Sequence, residues 1–216
     1  MLLWAGLVWF VAFVASALAA AIVLDAGGSI DDFTGAETFA TSLPLFTVML
    51  AGTLILSSFG GREPARVLGL VPSSAADIPL GLGIGVLTQF ALIPIYLPLI
   101  RIFDVDVQAE AQELSDRFDG YEVILLTLLA VVIAPTVEEL FFRGLVQMQL
   151  QKLLSPWWAL LVAAAVFALV HFQPIQWVGL FGFGIVSGLL LQQRSLVASM
   201  AAHVGFNAVA LVGTLS

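Results

Sequence analysis

YEVILLTLLAVVIAPTVEELFFRGLVQMQLQK, residues 121–152, opens as a membrane helix and then departs from one. From Tyr121 to Ala134 the run is almost continuously apolar, without the period-two alternation of a barrel strand. A continuous run approaching twenty residues is the signature of a membrane-spanning helix. Yet Pro135 interrupts this one, and Glu138, Glu139 and Arg143 follow inside it.

The rest of the chain agrees with a membrane helix bundle. Of its 216 residues 61% are hydrophobic and 10% charged, whereas soluble domains run near 45–50% and about 25%. Further apolar runs cover Trp4 to Leu24, Ser42 to Phe59, Leu80 to Ile100 (with Pro94 and Pro98), Trp157 to about Phe172, Trp177 to Leu191 and Leu196 to Leu215. With the quoted segment these predict an all-α, polytopic bundle of about seven transmembrane helices. The run beginning "MLLWAGLVWF" lacks a basic n-region and is long, so it reads as a retained first helix rather than a cleaved signal.

Composition also excludes function classes. The chain has no cysteine, hence no disulfide framework, thiolate zinc site or cysteine nucleophile. A net charge of −8 offers no basic surface to nucleic acid. The acids concentrate in two loops, 25–41 and 101–122. Arg62, Arg66, Lys152 and Arg194 fall on one side of the alternating spans and Arg101 and Arg117 on the other. The positive-inside rule then puts the N-terminus in the cytoplasm of a multi-pass cell-membrane protein. Segment 104–119 reads as a solvated helical loop, with a substrate-access flap as the sharper alternative.

An ionisable residue inside a span is costly and marks a functional hypothesis. These residues cluster after position 120: Glu138, Glu139, Arg143, His171, His203 and, beside them, Asn207. In the first three spans Gln89 is the exception. Glu139 and Arg143, Phe167 and His171, and His203 and Asn207 are each four apart, hence on one helix face. Glu138 is turned about 100° from Glu139. A hairpin turning near Leu154 brings Glu138 and His171 to similar depth.

Two adjacent carboxylates in a low dielectric do not both ionise freely. Arg143 pairs with Glu139, which leaves Glu138 as a candidate general base. His203 and Asn207 offer N–H donors to an oxyanion, and His171 can orient a water or pass a proton. Those parts suffice to hydrolyse an amide. A buried polar network that fixes helix register uses the same residues. So does a three-ligand zinc site made of Glu138, His171 and His203, although H-E-x-x-H is absent and Asn207 is a poor zinc ligand.

Three motifs carry a resemblance: "EELFFR" at 138–143, "FALVH" at 167–171 and "HVGFN" at 203–207. In this order they resemble the CPBP family of intramembrane proteases, which comprises type II CAAX prenyl endopeptidases and bacteriocin-processing or bacteriocin-immunity proteins. The resemblance covers about residues 120–213. It divides the chain into N-terminal membrane helices with an acidic loop, 1–119, and a catalytic core, 120–216. It implies an endopeptidase acting on membrane-associated proteins or peptides, CAAX-type prenylated ones among the candidates, with no nucleic-acid partner. Glu138 is then the base that activates water, His171 its positioner, His203 and Asn207 the oxyanion pair, and Glu139, Arg143 and Phe167 their support. The resemblance leaves the cofactor as either none or one divalent metal such as zinc. A non-catalytic or immunity protein of the same fold is the alternative, and a proton-coupled transporter a more distant one.

Overall fold

The computed structural model describes the chain except residues 25–28, 31–32, 60, 62, 71, 105–111, 113–117, 119 and 216. Arg62, Arg117 and most of the 104–119 segment therefore lie outside the described residues. Among the described residues there are eight helices and no strand. They are α1 (Leu2–Leu24), α2 (Gly35–Ser58), the single turn α3 (Pro64–Val67), α4 (Asp77–Ile102), α5 (Tyr121–Leu150), α6 (Pro156–Leu169), α7 (Trp177–Gln193) and α8 (Leu196–Leu215). The protein is thus a polytopic helical bundle, as its hydropathy predicts.

Five of the helices, α1, α2, α4, α5 and α8, are long and apolar enough to cross a membrane. The other two apolar helices, α6 and α7, have 14 and 17 residues, short of the ~20 a full crossing needs. The fifth span expected to reach about Phe172 ends at Leu169 instead. There the amides of His171 and Phe172 turn back onto the carbonyls of Ala168 and Leu169. Phe172 then takes a left-handed φ of 53°, a rare conformation for a bulky residue, and Pro174 follows. His171 consequently sits on the turn beyond the helix, not on its face.

Lipid and protein divide the helix surfaces. α1 is apolar on all sides, buries Ala5 and Ala12, and leaves Leu3, Trp4, Phe10, Leu18 and Ile22 exposed. Such a helix is suited to lipid contact and is docked through its small residues. Ser16 Oγ fixes it by donating to the Thr41 carbonyl of α2 at 2.7 Å. The start of α2 is closed by a capping box between Thr34 and Glu37.

The seam that positions the site runs between α4 and α8. A Cβ on Gly81 would meet the Ala198 carbonyl, one on Gly85 the Ala202 carbonyl, and one on Gly205 the Leu82 carbonyl. Small residues four apart on facing helices permit this approach. The matched order, 81 to 198 and 85 to 202, makes the two helices run in the same direction. At their starts Asp77 accepts Ser195 Oγ at 2.6 Å and the Ser73 amide at 2.7 Å. Arg194 Nε lies 3.5 Å from the same carboxylate.

Candidate active site

The quoted segment does not fold as a uniform α-helix. Within α5, residues Leu128–Ile133 and Leu140–Gln147 are π-helical and flank an α-helical stretch, Ala134–Glu139. Pro135 accounts for the first wide turn. In a π-helix the carbonyl of residue i accepts from the amide of i+5. For Ala130 that residue is Pro135, which has no N–H. Asn207 supplies the missing donor, its Nδ2 reaching Ala130 O at 2.8 Å. A part-buried carbonyl is thereby satisfied, and the carboxamide of Asn207 is held in one orientation.

Glu139 is fully buried and surrounded by donors. Ser199 Oγ donates to Oε2 at 2.5 Å, Ser187 Oγ to the same oxygen at 2.7 Å, and His203 Nδ1 to Oε1 at 3.0 Å. Arg143 Nε lies 3.4 Å from Oε2, an ion contact without hydrogen-bond alignment. A carboxylate so deep in an apolar bundle needs this saturation of its lone pairs. The guanidinium also stacks over Phe167, with Cζ 4.3 Å from the ring centroid.

His203 stands between the two adjacent acids. Its Nδ1–H faces Glu139, so Nε2 points the other way and lies 3.8 Å from Glu138 Oε2. Glu139 thus fixes the ring's tautomer and aims its second nitrogen at Glu138. Glu138 itself keeps 16% of its side chain exposed, in contrast to Glu139. Neighbouring positions on one helix have produced one sealed and one accessible carboxylate.

His171 is fixed in a similar way. Its Nδ1–H donates to the Phe167 carbonyl at 2.7 Å, which leaves Nε2 as the free nitrogen. Phe167 is the fully buried hub of the site. Its ring meets His171 edge-on at 4.8 Å, His203 at 5.7 Å and Phe142 at 5.4 Å. On the far side Phe183 lies 4.7 Å from His203 and stacks on Phe206 at 4.4 Å. The i, i+4 spacing of Phe167 and His171 therefore operates through a backbone carbonyl and a ring edge rather than through a shared helix face.

Glu138 and His171 line two cavities at once. One, of about 360 Å³, is mostly apolar and bounded by Trp9, Phe13, Leu45, Met49, Phe142 and Phe172. The other, of about 350 Å³, holds the polar groups Gln89, Tyr96, His203, Asn207 and Gln176. The structure thus brings Glu138, His171, His203 and Asn207 to one cavity and places Glu139, Arg143 and Phe167 behind them. Among the described residues no three His, Cys, Asp or Glu side chains are grouped so as to hold a metal ion. Each histidine keeps Nε2 available with Nδ1 held by a carbonyl or carboxylate, as a zinc ligand would, but Glu138, His171 and His203 are not grouped closely enough in this arrangement to share an ion.

Ser187 and Ser199 were not singled out by the sequence, yet they are the closest donors to Glu139. Ser199 lies four residues before His203 and Asn207 four after, so a polar stripe at helical spacing was the available signal. Ser187 has no such partner in sequence; its role depends on α7 packing against α5.

Residues 120–209 match the family described as type II CAAX prenyl endopeptidase Rce1-like. Comparison with curated proteins and with solved structures gives no significant match. The match spans α5 to α8, the helices that carry the three motifs and the whole polar cluster around Glu139. It supports an intramembrane peptidase acting on membrane-associated proteins. Over residues 120–209 this multi-pass membrane protein is similar to the type II CAAX prenyl endopeptidase Rce1-like family.

Proposed function

We propose that the chain is an intramembrane endopeptidase in which Glu138 activates the hydrolytic water. The observation that carries this reading is the separation of roles between two adjacent acids. Glu139 is sealed by Ser187, Ser199, His203 and Arg143, whereas Glu138 opens onto both cavities. A carboxylate that opens onto a cavity and is not saturated by donors is available as a base.

The substrate's scissile carbonyl enters the polar cavity beside Glu138. A water held between Glu138 and the free Nε2 of His171 loses a proton to Glu138. Its oxygen attacks the carbonyl carbon, and the π electron pair moves to the carbonyl oxygen. The remaining N–H of Asn207, joined by Nε2–H of His203 when that ring carries its second proton, stabilises that oxyanion. As the C–N bond breaks, the proton on Glu138 passes to the leaving amine. The apolar cavity suits a hydrophobic chain attached near the cleavage site, which favours lipid-modified, CAAX-type substrates. The end of the bundle carrying Arg66, Lys152 and Arg194 faces the cytoplasm.

Cleavage of a fluorogenic peptide ending in a farnesylated CAAX sequence, by purified protein in detergent, tests the assignment. Glu138→Gln is expected to lower kcat by about 10³-fold or more, from loss of the base. Equal turnover by the variant removes Glu138 from that role.

A further inference from the structure

The geometry points to a substrate-backbone subsite on α4, built around Gln89, that accepts a hydrogen bond from a peptide N–H of the bound substrate. It rests on the peptidase reading above. Gln89 is the one strongly polar side chain within the first three apolar runs, and it lies outside the residues matched to the family. Its Oε1 is buried and has no hydrogen-bond partner among the described residues. Gln89 nevertheless lines the cavity of Glu138, His203 and Asn207.

Its placement follows from the α4–α8 seam. Gly81 faces Ala198 and Gly85 faces Ala202. One further turn at the same offset sets Gln89 level with Phe206, next to Asn207. Gly81, Gly85 and Gln89 share a face of α4 at i, i+4 and i+8, so the close glycine contacts hold the face that carries Gln89 against α8. Two turns on, Tyr96 lines the same cavity, and its ring occupies the space that a side chain at Gly179 would fill.

An unpartnered buried acceptor selects the chemistry of its ligand. It requires a donor, which excludes a carboxylate or a bare isoprenoid and fits an amide N–H. A peptide drawn from the membrane into an apolar cavity brings unpaired N–H groups of its own, and each needs an acceptor there. Gln89 is therefore a positioning residue: it aligns the peptide while Glu138 and its partners act on the neighbouring carbonyl.

The test uses the full-length protein, the farnesylated fluorogenic peptide, and a series of depsipeptides in which one backbone N–H at a time is replaced by an ester oxygen. Wild type is expected to lose about tenfold in kcat/KM, mainly through KM, on one depsipeptide. Gln89→Met is expected to lose the same factor on the all-amide peptide and nothing further on that depsipeptide, because both changes remove one bond. Its thermal midpoint should not fall, since no described residue pairs with the acceptor it removes. Unchanged kinetics in Gln89→Met, or a loss that multiplies with that of every depsipeptide, overturns the subsite. A lowered midpoint with equal loss on all substrates assigns Gln89 to packing instead. If the wild-type protein does not cleave the all-amide peptide at all, the peptidase reading falls first and the subsite with it.

Discussion

Glu139→Gln isolates what the buried cluster does. The substitution is nearly isosteric, so packing is preserved while one charge is removed. Arg143 is 1% exposed, and its Nε and Nη1 have no hydrogen-bond partner among the described residues. Its remaining polar contact is Nη2 to the Gly184 carbonyl at 3.5 Å. Without Glu139 it becomes a buried cation that has lost its paired carboxylate, which costs about 3–5 kcal/mol. Ser187 and Ser199, both donating to Oε2, would face an amide in one of its two orientations. In the other, His203 Nδ1–H would face N–H instead. The expected result is a destabilisation of about 3–5 kcal/mol in detergent unfolding and a kcat lower by about 10²-fold or more, since His203 is no longer oriented. Removing both charges in Glu139→Gln/Arg143→Met should recover most of the stability and none of the activity, the pattern of a coupled pair. A single variant within about 1 kcal/mol of wild type, or a double variant no more stable than the single, refutes the claim that Arg143 depends on Glu139.

Two further outcomes follow from local geometry. Pro135→Ala returns an N–H opposite the Ala130 carbonyl and releases Asn207 from it. Hydrolysis is expected to fall by up to about 100-fold as the carboxamide loses its fixed position, with an unchanged or raised thermal midpoint. A fall in midpoint with full activity contradicts the link. Asp77→Ala leaves Ser195, Ser73 and Arg194 without their shared acceptor at the start of α4 and α8. It should lower the thermal midpoint while kcat per folded molecule stays unchanged. A variant as stable as wild type rejects that junction as a tie.

How much was legible depended on the kind of signal. The apolar runs located the long helices because lipid contact demands continuous apolar surface. Their ends were less legible: α6 stops before His171 because Phe172 turns left-handed, which hydropathy does not record. The pairing of Glu139 with Arg143 follows from helical spacing, since residues four apart meet on any helix. The donors Ser187 and Ser199 are serines on α7 and α8, and nothing in their local sequence directs them to Glu139.

The sequence by itself determined the membrane class, the helical architecture, the family resemblance of residues 120–209 and the identity of the polar residues around the site. These depend on composition, local period and motif order, which the chain carries without folding. The tertiary structure alone decided that Glu139 is sealed and Glu138 open, that one imidazole lies between them, and that Asn207 completes the wide turn left by Pro135. It also brought Gln89 to the same cavity through the glycine seam of α4 and α8. Each of these is a contact between helices distant in sequence, and burial and hydrogen-bond partners at such contacts are set by packing rather than by local pattern.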